Sequence, residues 1–165
     1  MKLSEFILME LDQEAQTTKR VLERIPEHKL AWRPHPKSFS LGQLALHIAS
    51  VPGGVTRIVM QESAETPNFA QAEPKSRQEV LDTFSKSLET AKGNLKTMDD
   101  ARLAETWSLT RSGKVVMSAP RGAILRSILL NHVYHHRGQL SVYLRMLDVP
   151  VPSIYGPSAD ESPFG

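Results

Sequence analysis

The chain has 165 residues, of which 40% are hydrophobic, so it is long enough for one domain with a buried core. Its 20 basic and 18 acidic residues leave a net charge of +2 and form no basic run, so binding to nucleic acid or to an anionic membrane is not indicated. The absence of cysteine excludes disulfides, thiolate metal ligands and a cysteine nucleophile. With no sustained apolar run near the N-terminus, the expectation is a cytoplasmic protein without membrane spans.

The first predicted element is an amphipathic helix. Apolar residues recur at helical spacing from position 4 to about position 24, and Pro26 ends the pattern. The segment over 30–37 contains two prolines, which push the residues before them into extended conformations. We therefore predict a connector there, with Trp32 docked on the core.

A second helix is predicted to begin at Ser40, because Ser40 and Gln43 have the spacing of a capping box. Its apolar residues continue to Ile58, with the sequence Pro52-Gly53-Gly54 in between. The proline removes one backbone donor, and the glycines allow another element to approach closely. A polar loop is predicted over 66–75.

A third helix is predicted to follow Ser76, which forms a second capping box with Glu79 and precedes a heptad-like apolar face over 81–98. Two short apolar runs, over 107–110 and 115–117, flank a glycine-containing turn and predict a β-hairpin. A fourth helix should begin near Pro120.

Four long helices and one hairpin predict an all-α fold, an up-and-down four-helix bundle with a small β-hairpin before the last helix. The fourth helix can run to about position 147, and the segment over 150–165 is a proline-rich, extended C-terminal tail. We expect a single domain over 1–165.

The fourth helix carries the pattern that points to function. His132 and His136 are four residues apart, so a helix turns both imidazoles toward one point. They share a stripe with apolar residues, among them Leu129 and Leu140, and should therefore point into the bundle, where an unpaired imidazole is costly. This spacing is a known metal-binding arrangement, and the alternative is two histidines packed or solvated on a helix.

A third ligand must come from elsewhere, and His47 in the second helix is the candidate, because His28 and His35 lie in connectors that do not aim them. A lone histidine near an apolar face is more often a hydrogen-bonded core residue. Three neutral imidazoles would leave a coordination position open for substrate or water, as in catalytic sites. The divalent ion could be zinc, nickel or iron, since imidazole suits all three.

Four neighbouring polar residues are candidates for a second shell or for substrate contacts. Gln43 and Gln139 could each orient a ligand or a water, or lie on a helix surface. His135 could replace His136 as a ligand, although a second-shell or surface role fits its position better. Arg137 could pair with an anionic substrate group or a core carboxylate, or be a solvated charge.

The residues together resemble a known family. The sequences Trp32-Arg33-Pro34 and Ser40-Leu41-Gly42-Gln43-Leu44, the lone His47, the hairpin and the motif over 132–140 are similar to the DinB/YfiT-like superfamily of metal-dependent proteins. The resemblance covers nearly the whole chain. It implies a four-helix bundle, commonly a homodimer, whose metal ligands fall on His47, His132 and His136.

The resemblance also suggests a reaction class. Relatives include thiol-dependent transferases and a mycothiol-dependent isomerase, which use the metal to bind and activate a low-molecular-weight thiol. We therefore expect a metal-dependent enzyme that transfers such a thiol to a small electrophile. The alternatives are a metal-dependent hydrolase and a non-catalytic metal-binding protein of the stress response. No HExxH motif or glycine-rich phosphate loop favours another chemistry.

Overall fold

The computed structural model describes residues 2–68 and 70–164, so Met1, Phe69 and Gly165 lie outside the described residues. The fold is mostly helical with a small three-stranded sheet. Its helices and strands, in chain order, are α1 (Leu3–Glu23), a 3₁₀ turn (Glu27–Lys29), α2 (Leu41–Met60), β1 (Ser63–Glu65), α3 (Arg77–Lys96), α4 (Asp100–Ala104), β2 (Thr106–Arg111), β3 (Lys114–Pro120), α5 (Arg121–Ile124), a π-helical stretch (Leu125–Asn131) and α6 (His132–Met146).

The long helices pack on one another around a shared apolar core. Helix α3 packs against both α1 and α2, and α6 packs against the same two helices from another side. The core draws on all four, with Leu11, Ile48, Phe84 and Leu140 each buried. The helices that bear the candidate histidines, α2 and α6, are therefore neighbours. The up-and-down order of the bundle stays a prediction.

The start of α2 and its contact with α3 follow the sequence signals. Ser40 and Gln43 form the predicted capping box in both directions. Pro52 lies inside α2, and at the next residue the amide of Gly53 donates to Ser87 Oγ of α3 at 2.7 Å. A Cβ on Gly53 would lie 3.0 Å from the Ser87 backbone, so glycine permits the close approach that the sequence predicted.

The predicted capping box at the start of α3 is only half formed. The amide of Glu79 donates to Ser76 Oγ at 3.1 Å, as expected. The carboxylate of Glu79 instead accepts from the amide of Lys75, at 2.7 Å.

The sheet confirms the predicted hairpin and adds a strand. Strands β2 and β3 pair antiparallel, and Ser112 and Gly113 at the turn both have positive φ, as tight hairpin turns require. Strand β1 pairs parallel with β2, with Ala64 opposite Leu109. The sequence did not predict β1 or α4, because segments of three and five residues are too short to show a period.

The last helical run differs from the prediction in the phase of its buried face. Over Leu125–Asn131 the helix is π-helical, which adds residues to each turn and shifts the face that follows. Beyond that stretch the buried positions are Val133, Arg137, Leu140 and Leu144. His132 and His136 therefore lie half-buried at the edge of this stripe instead of pointing straight into the bundle.

The remaining segments have little regular structure. In the described parts of the loop over 66–75 and of the tail beyond position 149 there is neither helix nor strand. The tail nevertheless packs on the helices, and Val151 and Ser153 are buried. Among the helices of the described chain, none has both the length and the apolar character needed to cross a bilayer.

Candidate metal centre

Two helices bring three histidines together. His47 lies in the first half of α2, His132 begins α6, and His136 follows one turn later. Because residues four apart share a helix face, the two α6 imidazoles stand one above the other beside α2. Each of the three side chains is half-buried, so the cluster lies at the protein surface and not in the sealed core.

The three Nε2 atoms converge on one point. His47 Nε2 lies 3.2 Å from His132 Nε2, and His132 Nε2 lies 2.6 Å from His136 Nε2. One nitrogen from each ring lies within 4.8 Å of the other two. A tetrahedral ion with bonds of about 2.0–2.1 Å separates its ligand nitrogens by about 3.3 Å. The 3.2 Å separation matches this value and the 2.6 Å separation is shorter, and the triad could hold one small divalent ion.

Two of the rings make further hydrogen bonds, and the bond of His136 lies at the side of the ring away from its Nε2. His136 Nδ1 lies 2.7 Å from Gln139 Oε1, and since an amide oxygen only accepts, Nδ1 carries the proton. His132 donates a hydrogen bond to the backbone carbonyl of Ile128, which lies in the π-helical stretch. This bond opposes the lowering of the His132 pKa by burial. Lone pairs that face each other repel, and a cation between them removes the repulsion. The donor set therefore fits a metal ion.

Burial keeps these imidazoles in the form that binds metal. Burial, followed by the charges of His136 and His132, lowers the pKa of His47 from its usual 6.5 to about 4. Burial is also the main cause that lowers the pKa of His132 and of His136. Near neutral pH all three rings are therefore neutral, which is the ligating state of imidazole.

A model of the DinB family matches residues 2–163. The chain belongs to the DinB family. The uncharacterized protein YrdA of Bacillus subtilis (strain 168) is 29% identical over 152 residues, which are 90% of this chain and 85% of YrdA.

Two solved structures share the fold. A DinB-like protein from Bacillus cereus ATCC 10987 superposes with a TM-score of 0.70 at 23% identity, over 92% of this chain and 97% of that one. The DinB-like protein YjoA of Bacillus subtilis superposes with a TM-score of 0.67 at 18% identity, over 87% of this chain and 94% of that one. At these identities the likeness concerns the fold alone.

The two candidate glutamines have different roles in the DinB chain. Gln139 contacts His136, as described above, and so can orient that ring. Gln43 instead accepts from the amide of Ser40 and donates from Nε2 to the carbonyl of Gln71, at 3.1 Å. These contacts of Gln43 belong to the helix cap and the neighbouring loop, one turn before His47.

His135 stands outside the triad. Its side chain is exposed, and its ring centroid lies 4.9 Å from that of His136, in an edge-on contact. The converging set of nitrogens contains His136 and not His135.

Arg137 points away from the three histidines into the protein. Its side chain is 1% exposed and forms an ion pair with Glu14 of α1, with Nη1 2.7 Å from Oε2. It also donates to Thr18 Oγ1 and to the hydroxyl of Tyr155. Of the three interpretations of Arg137, the structure shows the core carboxylate. Sequence reasoning missed these partners, although Glu14 and Thr18 continue the buried positions of α1 at helical spacing.

Phe39 borders the triad, and Tyr143 and Trp32 continue from it in a chain of aromatic contacts. The ring of Phe39 lies 5.9 Å from the ring of His47, centroid to centroid. The hydroxyl of Tyr143 donates to the carbonyl of Phe39 at 3.3 Å, and Trp32 meets the Tyr143 ring edge-on at 5.5 Å. These three side chains are half-buried, so the organic part of a substrate could contact them.

A surface cavity of about 500 Å³ lies elsewhere, between α1 and α3. Phe84 and Leu88 line it, and the ion pair of Lys92 with Asp12 lies at its edge. None of the three histidines lines this cavity. The triad is therefore the candidate site because of its converging ligands and not because of cavity volume.

Proposed function

We propose that this DinB-family chain binds a divalent metal ion through His47, His132 and His136 and is a metal-dependent enzyme that transfers a low-molecular-weight thiol to an electrophile. The observation that carries the proposal is the convergence of three imidazole nitrogens. Zinc and nickel are the first candidates for the ion, and iron is the next. The scaffold of the proposal is the predicted up-and-down four-helix bundle.

When bound, such an ion would lower the pKa of a coordinated thiol or water and so supply a nucleophile at neutral pH, which a chain without cysteine does not provide itself. The protein's own part is to hold and orient the ligands. Gln139 fixes the proton of His136 on Nδ1, and a hydrogen bond to the backbone of Ile128 helps to orient the His132 ring. In the transfer, the thiol loses its proton to solvent, its sulfur bonds to the electrophilic carbon, and the bond from that carbon to the leaving group breaks, with the electron pair departing on that group.

One feature of the site favours thiol transfer over hydrolysis. The electrostatic contributions to the lowered pKa values of the three imidazoles come from neighbouring histidines and not from a carboxylate. Zinc hydrolases of the HExxH type add a glutamate as general base for the attacking water, whereas a thiol that the metal deprotonates has less need of one. The aromatic flank formed by Trp32, Phe39 and Tyr143 suits the organic part of an electrophile.

The first test measures metal content by plasma mass spectrometry on tag-free protein, beside the variants His47→Ala and His132→Ala. The proposal expects near-stoichiometric metal in the wild type and its loss in both variants. A wild type that takes up neither zinc nor nickel after incubation would leave a non-catalytic role as the better account.

The second test separates the reactions in metal-loaded protein. Turnover of 1-chloro-2,4-dinitrobenzene that requires an added small thiol, and that His132→Ala abolishes, supports transfer. Cleavage of nitrophenyl esters that needs no thiol would instead support a hydrolase. A metal-loaded protein that catalyses neither reaction would favour the hypothesis of a non-catalytic metal-binding protein.

We further propose a cytoplasmic homodimer, on the strength of the family resemblance and the absence of cysteine. Light scattering on purified protein would give the oligomeric state. Fractionation of the source cells would give the compartment.

A further inference from the structure

The residue after the metal ligand His136 joins three parts of the chain. Arg137 forms its buried ion pair with Glu14 of α1, and its Nη1 also donates to Thr18 Oγ1 at 3.1 Å. A guanidinium with these partners is held in one orientation, because its planar fork must match fixed acceptors. Arg137 therefore fixes how α6 is rotated against α1.

The C-terminal tail completes this arrangement. The Tyr155 hydroxyl accepts from Arg137 Nη2 at 2.5 Å and donates to Glu14 Oε2 at 2.9 Å. The guanidinium carbon lies 5.1 Å from the ring centroid of Tyr155 and 5.4 Å from that of Tyr134, within cation–π range. One exposed tail residue thus touches both members of the buried ion pair.

The tail is tied to the same two helices at further points. On α1, Arg20 donates to the carbonyl of Ser153 at 2.8 Å, and beyond the helix end Arg24 pairs with Glu161. On α6, Arg145 pairs with Asp160 at 2.5 Å. The tail over 153–161, which we call the tail clasp, therefore spans α1 and α6.

The rotation of α6 matters because His132 and His136 lie on it while His47 lies on α2. A side-chain tip about 5–6 Å from the helix axis moves about 1 Å when the helix turns by about 10°. Metal–ligand distances tolerate only about 0.2 Å. The π-helical stretch immediately before His132 departs from regular helix geometry, so contacts beyond it must hold the rotation.

We propose that Arg137 is a positioning residue of the metal centre. Glu14 of α1 and Tyr155 of the tail clasp hold its guanidinium in place. Metal affinity then depends on a tail residue that touches no ligand. The inference rests on the proposed metal centre, and it predicts a change in affinity of the folded protein, which a purely stabilising contact would not cause.

The test uses two matched hydroxyl deletions. Tyr155→Phe removes the hydroxyl that contacts Arg137, whereas Tyr134→Phe removes one that joins α6 to Glu10 of α1 without contacting Arg137. Zinc affinity is measured by competition with 4-(2-pyridylazo)resorcinol, at a temperature where circular dichroism shows each variant folded. We expect Tyr155→Phe to weaken zinc binding by about three- to tenfold and Tyr134→Phe by less than about twofold.

A second readout reports on ligand geometry. In cobalt(II)-loaded protein, Arg137→Lys should shift the visible absorption bands, because a lysine keeps the charge but loses the fork, whereas Tyr134→Phe should leave them in place. Equal affinities in the wild type and Tyr155→Phe, or an equal loss in both tyrosine variants, would overturn the inference. A wild type that binds no metal would instead refute the metal centre itself.

Discussion

Helix α6 presents two polar clusters on adjacent faces. They differ in whether other groups of the protein pair with their charges and hydrogen-bonding atoms. Arg137 meets a carboxylate, a threonine hydroxyl and a tyrosine hydroxyl, so its charge and donors are matched inside the fold. The Nε2 atom of His132 lies against those of His47 and His136, and this set offers nitrogen ligands that could hold a cation. The comparison teaches that a ligand site is marked by unmatched acceptors and that a buried charge, when fully paired, belongs to the scaffold.

The largest expected effect comes from breaking the paired cluster. Glu14→Ala should lower the free energy of unfolding by about 3–5 kcal/mol, because it leaves the Arg137 charge buried without its carboxylate. Urea denaturation would measure it. The matched control is Glu10→Ala, which removes a carboxylate from the same helix whose partner Arg126 is half exposed, and which should cost about 1 kcal/mol. Equal costs in the two variants would show that the Arg137 cluster is no more critical than a surface pair.

The unmatched cluster should respond in the opposite way, by gaining stability from an added ion. Zinc at a free concentration 100 times its Kd should raise the free energy of unfolding by about 2.7 kcal/mol in the wild type. His136→Ala should abolish this gain while changing the metal-free protein little, since the side chain is half-buried. Thermal unfolding with and without zinc tests it. A gain that survives in His136→Ala would mean that zinc binds elsewhere.

The contrast between the clusters also shows what the sequence could and could not predict. The spacing of His132 and His136 is a local signal, and it led to the pair that the structure brings to His47. The capping box at Ser40 and the hairpin turn at Gly113 are local signals too, and both are confirmed.

The fate of Arg137 is not local. Glu14 lies 123 positions away in the chain, and the π-helical stretch that rotates Arg137 inward depends on packing that no periodicity shows. Because the prediction extended a regular helix through 125–131, it placed the histidines on the stripe where the structure has Arg137. Strand β1 was missed for a similar reason, since its pairing with β2 crosses more than 40 residues.

A smaller effect on zinc affinity should distinguish Gln139 from Gln43, for which the sequence offered the same alternative roles. Gln139→Ala should weaken zinc binding by about tenfold, because it frees the His136 ring from the acceptor on Nδ1. Gln43→Ala should leave zinc affinity within about twofold but lower the free energy of unfolding by about 1 kcal/mol, through loss of the side-chain hydrogen bonds to the amide of Ser40 and the carbonyl of Gln71. Chelator competition and urea denaturation on both variants measure the two quantities. The reverse pattern would assign the orienting role to Gln43.

The smallest expected effect is the pH dependence of the metal-free protein. The pKa of His47 falls from 6.5 in the unfolded chain to about 4 in the folded one, mainly through burial, so between these values the unfolded chain binds more protons. Stability should therefore decrease as pH falls from about 6.5 to about 4 and should be fully present above that range. Half-exposed imidazoles are partly screened by water, so the slope should be shallow. His47→Ala should flatten this slope in urea denaturation series, whereas Glu10→Ala should not, and an unchanged slope in His47→Ala would remove burial of this imidazole as its cause.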